Sequence, residues 1–133
     1  MEGKVLLVNV YEVPPELLSS DEIMKLLLIR TIEAANMTPV LHTLQIAHFP
    51  IPGGNGGSGF KGEYGLSAGM VLVESHVYIH TWPEKEYMRY EMSSCRNFNE
   101  KEVLDVLKTI LGKDIKIDYL ALPWSNNVAV LNL

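Results

Sequence analysis

The chain has 133 residues, 47% of them hydrophobic and 20% charged; that implies one domain (residues 1–133) with one core, and excludes intrinsic disorder. Eleven Lys and Arg against 16 Asp and Glu give a net charge of −5, the wrong sign for a nucleic-acid partner. No apolar run is long enough for a bilayer, the opening MEGKVLLVNVYEVPPE lacks a small-residue cleavage site, and Cys95 stands alone, so a cytoplasmic protein without membrane attachment or disulfide is expected.

Residues 4–11, KVLLVNVY, are β-branched and apolar and read as a buried strand, ended by Pro14 and Pro15. Ser19, Ser20 or Asp21 caps a helix through DEIMKLLLIRTIEAAN, which Asn36 and Pro39 close. Val40 to Phe49 alternates loosely and reads as a second strand. The stretch PIPGGNGGSGFKGEYG is loop by composition, and seven of the ten glycines fall within residues 53–65. Strands follow at Leu66–Val73, His76–Thr81 and Tyr87–Ser93, with a turn at Pro83–Glu86. Asn99 caps a second helix, EKEVLDVLKTIL, which Gly112 ends, and Ile115–Leu120 is the last strand. Hairpins plus two helices define an α+β two-layer sandwich, an antiparallel β-sheet with both helices on one face, in the order βαβββαβ.

The chemistry concentrates in SAGMVLVESHVYIHTWPEKEYMRYEMSSC, residues 67–95. Glu74-Ser75-His76 followed by Ile79-His80-Thr81-Trp82-Pro83-Glu84 resembles the prokaryotic S-adenosylmethionine decarboxylase proenzyme family. The spacing carries the likeness: Ser75, a His five residues on, a Glu four after that, a Cys twenty after Ser75 and a Ser eight before it. Gly3, Leu6, Tyr11 and Glu12 echo the family's opening strand more weakly.

The resemblance implies self-cleavage between Glu74 and Ser75, giving chains 1–74 and 75–133, with Ser75 converted to a covalent pyruvoyl cofactor. Ser67 and His80 would assist that processing. In turnover the pyruvoyl carbonyl would form a Schiff base with the substrate amine, the electron-sink role that pyridoxal phosphate fills elsewhere; neither pyridoxal phosphate nor metal is expected. Cys95 would protonate the carbanion, Glu84 would hold the substrate ribose, and Phe49 sits where relatives stack the adenine. The implied product is the aminopropyl donor for spermidine synthesis. The residue types suit these roles: imidazole titrates near neutrality, and a thiol donates a proton when its pKa lies near working pH.

Strand geometry adds a constraint. A hairpin centred on Lys85 places Ser75 opposite Cys95, and a tighter one turning at Val73-Glu74 places Ser67 opposite His80. Ser75 and His80 then point to opposite faces about 16 Å apart on a straight strand. One protomer therefore holds two half-sites, and a two-fold homodimer with stacked sheets and shared active sites is expected. A bulge near Ser75 would instead reconcile them within one chain.

Simpler readings apply to other residues. His76 and His80 lie about 13 Å apart on a strand, too far to share a metal ion. His42 and His48 read as ordinary polar strand residues, and Trp82 and Trp124 as core or interface aromatics. The chain also departs from the family pattern. Val5 and Asn9 replace a His and an acidic residue, Arg96 follows the Cys where relatives carry Gly, and the link before Ser67 is longer. Phe60 or Tyr64 therefore competes with Phe49 for the stacking role. These changes leave arginine or ornithine as alternative substrates. They also leave open an unprocessed, non-catalytic paralogue that binds a small molecule or a partner.

Overall fold

The computed structural model describes residues 2–50 and 64–125. Residues 51–63, with Phe60 and most of the glycine cluster, lie outside the described residues. The strands are β1 (Lys4–Tyr11), β2 (Gln45–Phe49), β3 (Gly65–Leu72), β4 (Ser75–Trp82), β5 (Tyr87–Ser94) and β6 (Lys116–Pro123); the helices are α1 (Pro15–Leu18), α2 (Asp21–Ala34) and α3 (Glu100–Leu111). Among the described residues they form one antiparallel sheet, ordered β2-β3-β4-β5-β1-β6. The α+β sandwich holds. The order βαβββαβ is one strand short of the six strands read along the chain, all of which enter the sheet, and the short helix α1 adds a turn before α2.

Period-2 alternation sorts the sheet into two faces. Leu6, Val8, Val10, Met70, Val77, Ile79, Met88, Tyr90 and Met92 are fully buried. Their cover is the apolar stripe of α2 (Met24, Leu27, Leu28, Ile32) and that of α3 (Val103, Leu107, Leu111). Both helices start where their caps dictate. The Ser20 hydroxyl accepts from the Ile23 amide at 3.2 Å, and the Asn99 side chain from the Lys101 amide at 3.0 Å.

The opposite face carries Ser67, Tyr78, His80, Trp82, Arg89, Glu91 and Asn9, with no helix over it among the described residues. It also exposes Tyr11, Val71, Leu120 and Leu122.

Two sequence expectations change. Residues 40–49 are not one strand, because Leu41–Thr43 forms a 3-10 turn. The Thr43 hydroxyl bonds back to the Val40 carbonyl at 2.6 Å and accepts the Val71 amide at 2.9 Å, so after an isolated bridge between Pro39 and Leu72 the continuous β2 ladder begins at Gln45. The β4–β5 hairpin is also one residue out of the expected register. Trp82 pairs with Tyr87, leaving four loop residues, and Glu86 closes the turn at φ 52. Ser75 therefore faces Ser94 rather than Cys95.

Candidate active site

The β3–β4 hairpin and the ends of β5 build two polar clusters. The first lies on the open face, where Ser67 pairs with His80 as expected. Ser67 Oγ and His80 Nδ1 share a 2.8 Å hydrogen bond. Burial and the Arg89 charge lower the His80 pKa below the usual imidazole value, against an opposing effect of Glu91. The imidazole is thus held neutral and able to take a proton.

This pair opens into a cavity of about 140 Å³ lined by Phe49, Tyr64, Gly65, Leu66, Ser67, His80, Thr81 and Trp82. Thr81, buried beneath it, accepts the Leu66 amide at 3.1 Å and donates to the Leu18 carbonyl at 2.9 Å, which ties β3 and α1 to β4. Gly65 has φ 148, and a Cβ there would fall 2.1 Å from the Thr81 carbonyl oxygen; glycine is required at this edge of the cavity. Glu84 is exposed and does not line the cavity. Its carboxylate reaches the Tyr64 amide at the rim, at 3.5 Å.

The second cluster surrounds the Glu74–Ser75 peptide. Leu72 pairs with Ser75, so Val73 and Glu74 form the expected two-residue turn. Ser75 has φ 157, at the edge of a region that side chains other than glycine rarely occupy. The Glu74 carbonyl oxygen accepts the Cys95 amide at 2.9 Å, which puts Cys95 one step beyond Ser75, beside Glu74. Cys95 is a half-buried free thiol. A Cβ on Gly3 would lie 2.4 Å from the Ser94 carbonyl oxygen and 2.9 Å from Cys95 Cα, so the residue that leads into β1 passes too close for any side chain.

The Glu74 side chain is buried and fully engaged. It accepts the Thr38 amide at 2.8 Å, the Thr38 hydroxyl at 3.0 Å and Arg96 Nη2 at 2.7 Å. Burial acts to raise its pKa, but the Thr38 hydrogen bonds and the Arg96 charge outweigh it and hold the carboxyl below the usual range.

The structure thus brings together Ser67 with His80 and Phe49, and Glu74 and Ser75 with Cys95. It does not join the two groups, because Ser75 and His80 sit at opposite ends of β4, about 16 Å apart. Gly65, Leu66, Thr81, Trp82, Thr38 and Arg96 were not assigned to the site from sequence. Trp82 shares its face with His80 two residues away, a parity signal that was available. Thr38 and Arg96 reach Glu74 from distant segments and left no local signal.

Comparison with known proteins places this hairpin and its helical cover. The profile of the S-adenosylmethionine decarboxylase family matches residues 4–120, and the chain belongs to that family. It is 30% identical over 93 residues to an arginine decarboxylase proenzyme of Aeropyrum pernix, a match covering 70% of this chain and 61% of the relative. The chain thus spans about three-fifths of that relative's length. It is 24% identical over 102 residues to an S-adenosylmethionine decarboxylase proenzyme of Archaeoglobus fulgidus, covering 75% of this chain and 77% of the relative. The crystal structure of the adenosylmethionine decarboxylase from Aquifex aeolicus shares the fold, with a TM-score of 0.68 over 99% of this chain and 98% of that one, at 21% identity.

Proposed function

We propose that the chain is a self-cleaving proenzyme that splits between Glu74 and Ser75 and then acts as a pyruvoyl-dependent decarboxylase. The observation that carries this reading is the backbone at that peptide: Ser75 at φ 157, with the Glu74 carbonyl already held by the Cys95 amide. Addition of Ser75 Oγ to the Glu74 carbonyl carbon would develop negative charge on the oxygen that the Cys95 amide faces. The C–N bond then breaks, the hydroxyl proton passes to the Ser75 nitrogen, and an ester remains. In the shared site proposed below, the partner's His80, held neutral, takes the Ser75 Cα proton, the Cβ–Oγ bond breaks, and Glu74 leaves as a carboxylate. The enamine left at residue 75 takes up a proton at Cβ to become an imine, water adds to the imine carbon, and the nitrogen leaves as ammonia, which forms the carbonyl.

The donor set fits the group this produces, since the residue that becomes it carries its own strained peptide and a positioned amide. Once formed, the pyruvoyl group supplies an electron sink for decarboxylation. The chain's own residues supply the rest. Cys95 delivers a proton to the reacting carbon. Phe49 and Tyr64 flank the substrate in the cavity, and Glu84 at its rim takes hydroxyl groups.

The working unit is a two-fold homodimer, in which Ser75 and Cys95 of one chain meet the partner's Ser67, His80 and Glu84. The separation of the two clusters supports it, and so does the sheet face that no helix covers among the described residues, which exposes Tyr11, Val71, Leu120 and Leu122.

S-adenosylmethionine is the first substrate, because an aromatic-lined cavity with a carboxylate at its rim suits a ribose-bearing cation. Arginine is the second, favoured by the likeness to an arginine decarboxylase proenzyme. Release of carbon dioxide from carboxyl-labelled S-adenosylmethionine, arginine and ornithine tests the reading, with Ser75→Ala as control. We expect release from S-adenosylmethionine, abolished by the substitution. Release from arginine alone would move the substrate, and none from any of the three would overturn the activity.

A further inference from the structure

Glu74, the residue before the proposed cleavage point, is held at both of its ends by Cys95 and Arg96, the two consecutive residues that leave β5. The Cys95 amide holds its carbonyl oxygen at 2.9 Å, and Arg96 Nη2 holds its carboxylate at 2.7 Å. Thr38 completes the grip with its amide and hydroxyl, and its carbonyl in turn accepts the Val73 amide at 2.9 Å. Arg96 is itself anchored, since Nη2 also bonds the Asn36 carbonyl at 3.1 Å and its amide bonds Ser94 Oγ at 3.0 Å. Two segments distant from Glu74 in sequence thus converge on one carboxylate that is only 6% exposed.

The two-residue turn sets the register of the hairpin, and the contacts to Thr38, Cys95 and Arg96 fix the Glu74 peptide further. With its side chain released, the Glu74 peptide would keep only the hairpin pairing and the Cys95 amide bond, and its carbonyl would be placed less tightly for attack. Proximity effects of this kind depend on sub-ångström placement.

We propose that Arg96, with Thr38, is a positioning element for self-cleavage: by clamping the Glu74 carboxylate it fixes the Glu74 carbonyl against the Cys95 amide and in line for Ser75. This deepens the self-cleavage reading and rests on it. Neither residue touches the reacting atoms, and the covalent steps are those given above. The clamp acts on the first of them, the movement of the acyl group from nitrogen to oxygen.

The test follows the appearance of the two chains by intact mass after refolding of the full-length protein. Arg96 is 58% exposed, so its charge is partly screened, and Arg96→Ala should slow cleavage by about tenfold rather than more. Arg96→Lys should recover part of the rate. Arg96→Ala should add little on top of Glu74→Gln, because both remove the same ion pair. Millimolar guanidinium should partly rescue Arg96→Ala and leave Glu74→Gln unchanged. A merely structural role is separated by the melting temperature of the uncleavable Ser75→Ala chain with and without Arg96→Ala, which should differ by only a few degrees. Equal cleavage rates for wild type and Arg96→Ala would overturn the clamp and leave self-cleavage standing, as would a rate loss that tracks a collapse in melting temperature. If wild type itself never splits, the self-cleavage reading falls and takes the clamp with it.

Discussion

Thr81→Val offers the sharpest test of how the hairpin is held. The substitution keeps the shape and deletes one hydroxyl at a position only 4% exposed. That hydroxyl accepts the Leu66 amide at 3.1 Å and donates to the Leu18 carbonyl at 2.9 Å, so two buried backbone groups lose their partner. Each unsatisfied group costs about 1–3 kcal/mol, so a loss of about 3 kcal/mol is reasonable. With an unfolding entropy of about 2.1 cal/mol/K per residue, the melting temperature should fall by about 10 °C. Thr81→Ser is the control, since it keeps the hydroxyl and removes one methyl, for about 1 kcal/mol and about 4 °C. Urea and thermal unfolding, both in the Ser75→Ala background, measure this without interference from cleavage. If valine proved as stable as serine at this position, the hydroxyl bridge would not be what ties β3 and α1 to β4.

Three further outcomes follow. Self-cleavage should hold its rate at neutral pH and fall only below the usual imidazole value of about 6.5, because the neutral form of His80 is favoured. Its midpoint should move down with Glu91→Gln and up with Arg89→Gln; a wild-type midpoint above that value would contradict the assignment. Gly65→Ala places a Cβ 2.1 Å from the Thr81 carbonyl oxygen at a residue with φ 148, and should destabilise the chain more than Thr81→Ser in the same unfolding assay. Ser75→Ala and His80→Ala chains, refolded together, should regain decarboxylase activity that neither has alone. Silence from mixed dimers shown to form would sink the shared site.

Local signals decided how much was legible. Residues 4–11 and 100–111 are read to the residue, because β-branching marks the first while Asn99 and Gly112 bracket the second. The Ser67–His80 pair was legible because a two-residue turn leaves one register. The β4–β5 hairpin was not. Pro83–Glu86 accommodates a three- or a four-residue loop, and the left-handed Glu86 that decides it carries no glycine to announce it. Residues 40–44 look like a strand because Val40 and Leu41 are apolar, yet the Thr43 hydroxyl captures the backbone first. Arg96 read as a missing glycine. Its partner Glu74 is 22 residues away and Thr38 lies 36 residues before Glu74, and no periodicity links them.

Self-cleavage at the Glu74–Ser75 peptide is the claim on which the rest depends, and the intact mass of the purified protein tests it most directly. The account predicts two chains, residues 1–74 and 75–133, the second lacking a free amino group, and a single uncleaved chain for Ser75→Ala. A wild-type protein that stays at 14.9 kDa after prolonged incubation at neutral pH would contradict it.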